Sequence, residues 1–344
     1  MAEHYLQLNQ VDQHEVLEIA REKTGRPTHL LEKDVWVVWV LDTLFSSPLA
    51  ADLTFKGGTS LSKAYRIIDR FSEDIDLTLD IRKLIDDLIN GQGVFPANGS
   101  QARKWSKAVH QRLPIWIAKQ AQPILAAAIA RENLLVTLEI GGQGKDKLLL
   151  YYPALKQGTG YVAPVVTLEF GARATGQPHQ IRTVDCDMQG YVENVSFPTA
   201  RPVVMDAERT FWEKATAAHV YCAQGRIRGE RYARHWHDLA ALTRSDFFNR
   251  AITDRALAYE VAQHKSLFFP EKDSAGERVD YFSAVNGNLR IVPSGPARQA
   301  LLQDYTLMLA DQVMIGAALP FDVLMQTCAA IEAAANAAAA SNFL

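Results

Sequence analysis

FKGGTSLSKAYRIIDRFSEDIDLTL, residues 55–79, is the stretch whose reading decides the fold. Its end alternates strictly: Asp74, Asp76, Thr78 and Asp80 fall on one side, Ile75, Leu77 and Leu79 on the other. That is the period of a strand, in which residues two apart share a face. Upstream, Leu61, Ala64, Tyr65 and Ile68 sit at helical spacing, which predicts a helix over SLSKAYRIIDRF. Gly57-Gly58 separates that helix from a short strand, ADLTF. The order is strand, glycine turn, helix, strand.

Working outward, VDQHEVLEIAREK (11–23) has the spacing of an amphipathic helix, and LEKDVWVVWVLDTLF (31–45) is apolar and long enough for a buried one. GQGVFPANGS (91–100) reads as a loop, and 101–132 as helix with an irregularity near Pro114. LLVTLEI (134–140) and VVTLEFGAR (165–173) read as strands. The Pro-bearing SFPTARPVV (196–204) is the clearest shift in composition, and beyond it the pattern is helical to an alanine-rich tail. No internal repeat is visible. The expectation is an α+β chain: a mixed α/β domain with N-terminal helices over 1–200, then a helical domain over 201–344.

A chain of 344 residues, nearly half of them hydrophobic, can bury a sizeable core. A formal net charge of −3 argues against a surface that attracts nucleic acid everywhere, so any basic patch is local. Cys186, Cys222 and Cys328 are far apart and odd in number, which fits a reducing cytoplasm. The N-terminus lacks a signal-peptide pattern and no uncharged apolar run reaches spanning length, so no membrane is expected.

Two carboxylates on one face of a strand repel, and a protein that places them so usually supplies a cation, Mg²⁺ or Mn²⁺ for such hard oxygen ligands. An acidic solvent-facing edge gives the same pattern, since Thr78 and Asp80 continue the polar side. Gly57-Gly58-Thr59-Ser60 opens a helix, where backbone N–H groups can approach a phosphate and a hydroxyl can cap or donate. An ordinary tight turn remains open for it, and no Walker A motif is present. Together the two features could hold a metal-bound nucleoside triphosphate. Glu169, an acid in an apolar strand, is the candidate third metal ligand, with Glu139 its rival. Lys214, in ERTFWEKATAAH, has no carboxylate three or four residues away, which leaves it to reach solvent or a phosphate; Arg209 and Glu213 pair structurally. Asp238 follows in RHWHDLAAL, where a metal-bound His-Asp dyad is the lesser reading for His235, His237 and Asp238. GRIRGERYARH is either a local patch for RNA phosphates or a solvated loop.

KGGTSLSKAYRIIDRFSEDIDLTL resembles the first signature of the AbiEii/AbiGii-type nucleotidyltransferase toxins, through its Gly-Gly-Thr turn, Arg-Phe-Ser lead-in and Asp-x-Asp. WEKATAAH and RHWHDLAAL resemble that family's Lys-bearing and Asp-bearing helical motifs, in the same order. The resemblance implies a polymerase-β-type nucleotidyltransferase fold, a mixed sheet with flanking helices followed by helices. It implies an NTP substrate, members that act on tRNA 3′ ends or bind GTP, and a toxin role beside an antitoxin, often a winged-helix regulator, in toxin–antitoxin or phage-defence systems. It puts phosphates on Thr59 or Ser60, beside the Gly57 and Gly58 amides already read as a phosphate approach, metal on Asp74 and Asp76, the triphosphate on Lys214, and an orienting role on Asp238.

The function expected is Mg²⁺-dependent transfer of nucleotides from an NTP to an RNA acceptor, with tRNA the first candidate. Transfer to a protein hydroxyl and a non-catalytic GTP- or ATP-binding module stay open as alternatives.

Overall fold

The computed structural model describes residues 2–72, 74–91, 93–156, 163–227, 231–310, 314 and 317–340. They form two compact units. The first comprises Met1–Ala64, Phe71–Val94 and Trp105–Met205, the second Tyr65–Arg70, Phe95–Lys104 and Asp206–Leu344.

In the first unit a short strand β1 (Glu3–His4) precedes α1 (Gln10–Thr24) and α2 (Thr28–Phe45). Asn9 caps α1 by accepting from the Val11 and Asp12 amides, and Gly25 ends it at φ 72°. α2 is buried on nearly every side, Glu32, Lys33 and Asp34 included. Next come β2 (Leu53–Lys56), α3 (Gly57–Lys63), β3 (Asp74–Asp80) and α4 (Ile81–Ile89), which Asp80 caps through the Arg82 amide. α5 (Gly99–Trp116) carries Pro114 and runs through a π-turn at Ile117–Ala121 into α6 (Gln122–Arg131). The irregularity expected near Pro114 is this widened turn.

The remaining strands are β4 (Thr137–Gly141), β5 (Lys147–Tyr151), β6 (Val165–Ala174), β7 (His179–Ile181), β8 (Val184–Asp185), β9 (Val195–Ser196), β10 (Thr199–Ala200) and β11 (Val203–Met205). Five of them join β2 and β3 in a seven-stranded mixed sheet of order β4-β5-β6-β3-β2-β11-β7, with β3 parallel to β6 and antiparallel to β2. β3 is therefore central. Its Ile75, Leu77 and Leu79 have no exposed surface, and each such burial contributes about 1.5–3 kcal/mol.

The helix expected over 60–71 is shorter: α3 stops at Lys63. Tyr65 and Ile68 are buried all the same, but outside a helix, and Arg66 takes a positive φ of 53°. The Tyr65 ring packs edge-on against Phe247 at 5.1 Å. Tertiary packing overrides the local helical period here.

The second unit is helical: α7 (Ala207–Gln224), α8 (Ala233–Leu242), α9 (Asp246–Thr253), α10 (Arg255–Phe268), α11 (Tyr281–Val285), α12 (Gly295–Ala310) and α13 (Phe321–Ala340). α7 packs on α8, α9 and α10, and α13 on α8 and α9. α13 is long and apolar enough to cross a membrane by composition. It carries Glu332, which accepts from the Ile291 and Val292 amides, and Asn336, which bonds Leu289 through both amide atoms. Those polar contacts and the buried face of Leu324, Cys328, Ile331 and Ala335 are those of a packed helix.

Candidate active site

The first unit carries the acids. Asp74 and Asp76 lie on the polar face of β3, both half-buried. Asp76 is in register with Glu169 on β6 and with Lys56 on β2, and Glu169 is in register with Lys147 on β5. Register partners on neighbouring strands project from the same face, so the row reads Lys147, Glu169, Asp76, Lys56. Glu169 is thus the immediate neighbour of the aspartate pair. It is ion-paired with Lys147. Burial acts against the Lys147 ammonium, yet Glu169, then Asp74 and Asp146, hold its pKa above the ordinary lysine value. The rival Glu139 lies on edge strand β4, in the row that reaches Asp74 only through Leu149 and Thr167. Three strand spacings, roughly 14 Å, separate it from Asp74.

Gly57 links the glycine turn to this row. Its φ is +79°, and a Cβ there would lie 2.1 Å from Asp76 Oδ2. Any side chain at 57 would be strained and would displace the carboxylate. The hydroxyls that follow are turned inward. Thr59 Oγ1 donates to the Asp74 carbonyl at 2.5 Å and Ser60 Oγ to the Gly57 carbonyl at 2.9 Å. Neither caps α3: Lys56 is the N-cap residue, and it makes no side-chain capping bond. Both side chains are fully buried, and Thr59 ties α3 to the start of β3.

At the other end of α3, Lys63 sits between Asp34 of α2 and Asp187, 2.6 Å from each. Arg26 holds the second Asp187 oxygen at 2.8 Å, and the Asp187 amide donates to Asp34 at 2.6 Å. Burial, then the neighbouring Asp187, push the Asp34 carboxyl up against the pull of Lys63. α3 is therefore fastened at both ends.

The second unit carries Lys214 and Asp238. Asp238, on α8, has no exposed surface. Arg70 grips it with two bonds, 2.8 Å to Oδ1 and 2.7 Å to Oδ2; Lys214 of α7 is 2.9 Å from Oδ2 and His237 Nδ1 lies 3.3 Å from Oδ1. Burial alone would raise its pKa, but Arg70, then Lys214 and the bond from His237, hold the carboxyl well below the usual range. His235 is pushed down to about 3 by burial, then by Lys214, and stays neutral. Sequence reading gave Arg70 no role. Its one signal was the Arg-Phe-Ser lead-in, and its partner is 168 residues away. Arg209 bonds Glu213 at 3.4 Å and Glu260 at 2.6 Å, a structural pair. In the arginine-rich stretch, Arg226, Arg231 and Arg234 are described, while Arg228 lies outside the described residues.

The donor set suits a hard divalent cation. Two same-face carboxylates, Asp74 and Asp76, and a glycine that leaves Asp76 its room match the way Mg²⁺ is held, by one or two carboxylates with phosphate oxygens completing the shell, while Glu169 in the neighbouring register position is engaged by Lys147. Among the described residues no group of three or more His, Cys, Asp or Glu is placed to hold a metal ion, so the fit rests on the Asp74 and Asp76 pair.

An acid pair beside a glycine turn on a central strand could hold a metal-bound nucleoside triphosphate. The family profile described as nucleotidyl transferase AbiEii toxin, type IV toxin–antitoxin system, matches residues 39–327, and the chain belongs to that family. Two solved structures align over most of the chain. The nucleotidyltransferase toxin MenT4 of Mycobacterium tuberculosis H37Rv is 17% identical, with a TM-score of 0.48, over 97% of this chain and 89% of its own. JHP933 of Helicobacter pylori is 13% identical, with a TM-score of 0.41, over 92% and 95%. No curated protein matches the sequence.

Proposed function

We propose that the chain transfers nucleotides from an NTP to the 3′-hydroxyl of an RNA, tRNA being the first acceptor to test, with Mg²⁺ or Mn²⁺ as cofactor. The observation that carries this reading is the Gly57–Asp76 approach, which makes the glycine turn and the acid pair one object. In the reaction the 3′-oxygen attacks the α-phosphorus, a new O–P bond forms, the bond to the β-phosphate oxygen breaks, and pyrophosphate leaves. A bound divalent cation would lower the pKa of the attacking hydroxyl and neutralise charge on the leaving group.

Asp74 and Asp76 hold that cation, with Glu169 as the third carboxylate. Backbone N–H groups of the turn at Gly57, Gly58, Thr59 and Ser60 face the phosphates, because both hydroxyls already serve internal carbonyls. The Lys214 ammonium holds the triphosphate. Asp238 positions Lys214, and Arg70 keeps Asp238 charged. Because Arg70 already neutralises the carboxylate, the cluster keeps a net positive charge for an anion. Catalysis then comes from orientation and electrostatics. The toxin acts in the cytoplasm, in phage defence, beside an antitoxin of winged-helix type; three free cysteines fit that compartment.

The test is an incubation of the protein with total tRNA, Mg²⁺ and each α-³²P-labelled NTP in turn, beside the Asp74→Ala/Asp76→Ala variant. Labelled tRNA from the wild type alone supports the reading and names the nucleotide. Label on protein instead of RNA moves the acceptor to a protein hydroxyl. Tight nucleotide binding without any label marks a non-catalytic module.

A further inference from the structure

The helical unit contains a cavity that the proposed chemistry leaves unused. It measures about 280 Å³ and is lined by Tyr221 and Gln224 of α7, Tyr232 just before α8, Lys265 and Phe269 at the end of α10, and Tyr281 of α11. Aromatic faces make its walls. The Tyr221 and Tyr232 rings meet edge to face, 4.7 Å apart at 88°. Tyr281 donates its hydroxyl to the Phe269 carbonyl at 2.8 Å, which fixes its ring. The Lys265 ammonium stands 5.0 Å from the Phe269 centroid.

A second cavity of about 730 Å³ shares Gln224 and Glu271 with the first and carries Arg226 and Lys272, both exposed. Its acids are engaged within the chain. Glu271 accepts from Gln224 at 3.2 Å, and Asp273 accepts from the Ala275 and Glu277 amides at 2.9 and 3.0 Å.

Concave sites for drug-sized ligands run to about 300–1,000 Å³, so the first cavity takes only a small planar group. Flat aromatic walls with one cation suit a heteroaromatic ring, by stacking and cation–π attraction. Arg226 and Lys272 are exposed donors that can contact a phosphate, in a lining that Glu271 and Asp273 leave without net charge. An unstacked nucleobase continuing into its own sugar–phosphate backbone has this sequence of features.

We infer that the two cavities are a subsite for the single-stranded end of an RNA acceptor. One splayed base lies against Tyr232 and its aromatic neighbours, and the backbone phosphate lies against Arg226 and Lys272. This rests on the reading of RNA as acceptor. A free nucleotide also carries phosphates, but the proposed function gives those to the turn at Gly57–Ser60 and to Lys214, which leaves an RNA strand as the occupant of both concavities. A protein acceptor has no need of an aromatic slot.

The test uses the full chain and a fluorescein-labelled single-stranded oligoribonucleotide, with binding followed by anisotropy in EDTA without NTP. Tyr232→Ala is expected to weaken binding about tenfold, and Tyr232→Phe, which keeps the ring, to stay within about twofold of the wild type. Arg226→Ala is expected to weaken binding less and to flatten its salt dependence. Unchanged affinity in Tyr232→Ala and Arg226→Ala overturns the inference, and so does a loss that Tyr232→Phe shares. In transfer assays, Tyr232→Ala should raise KM for RNA and leave KM for NTP; a rise for NTP alone overturns the assignment and gives the cavity to the incoming nucleotide. A wild type that binds the oligonucleotide through Tyr232 yet transfers nothing counts against the transfer reading and leaves the subsite standing.

Discussion

Asp238 and Asp76 are the same side chain in opposite settings. Asp238 has no exposed surface and is wrapped by Arg70, Lys214 and His237. Asp76 is half-exposed, with Asp74 beside it on the strand and Glu169 beside it across the sheet. In the helical unit the chain supplies more positive charge than the carboxylate needs. In the sheet unit it gathers Asp74, Asp76 and Glu169 on one face with Lys147 and Lys56 in the same row, three carboxylates to two ammoniums. Burying an ion is costly unless it is paired, so the first arrangement holds its own groups in place. Carboxylates gathered on an accessible face lower their mutual repulsion by taking a cation from outside.

The widest separation between the two settings should come from Asp76→Asn. Removing one charge from an accessible face leaves the fold intact and weakens the cation site. Transfer is expected to fall by about 10³-fold or more, with the thermal midpoint held near that of the wild type. Loss of activity accompanied by unfolding would break the comparison.

Arg70→Ala should do the reverse. It leaves Asp238 buried with a smaller counter-charge, and losing one partner of a buried pair costs about 3–5 kcal/mol. Urea denaturation reads the loss. Adding Asp238→Asn should recover part of it, because the buried charge goes too; strict additivity of the two changes would contradict the pairing.

Gly57→Ala sharpens the link between turn and acids. The positive φ costs about 1 kcal/mol for alanine, and the new Cβ pushes on Asp76 Oδ2. Transfer should drop far more, roughly 10²-fold, since small displacements of reacting groups are that expensive. Assays of activity and melting on the same preparation separate the two effects.

Away from the site, a pH dependence is expected at Glu32. Burial pushes its carboxyl up to about 7, partly opposed by the Leu155 and Lys156 amides. The folded state holds this proton where the unfolded chain has lost it. Stability from this group is therefore greatest below the unfolded pKa and declines as pH rises toward about 7. Glu32→Gln keeps an acceptor for the Leu155 amide and removes the ionisation. Its thermal midpoint should exceed that of the wild type at pH 8 and match it near pH 5; an equal difference at both would show that Glu32 ionises normally. Asp238, held low, has the opposite sign, its contribution fading only as pH falls into the acid range.

Much of the sheet unit was legible beforehand. β3 is readable from its alternation, α1 from its helical spacing and α2 from its apolar length, all of them local properties, and β6 reads as a strand as well. Nothing local marks β5, since KLLLY follows a turn and carries no clear alternation. Helical spacing runs past the end of α3, because Tyr65 and Ile68 keep it while packing outside a helix. Of the site residues, the acids and Lys214 stood out by residue type against apolar neighbours. Arg70 did not, and neither did the fastening of Lys63 between Asp34 and Asp187.

What the amino-acid sequence determined by itself was therefore the local chemistry: a period-two strand with acids on one side, a glycine turn before it, and helices with a lysine and an aspartate in order. Spacing along a chain encodes which face a side chain takes. The tertiary structure alone decided the partners. Glu169 comes beside Asp76 because β6 runs parallel to β3 in one particular register. Gly57 must be glycine because Asp76 occupies the space its Cβ would fill. Arg70 meets Asp238 across 168 residues. Such pairings depend on sheet order and packing, which no local pattern carries.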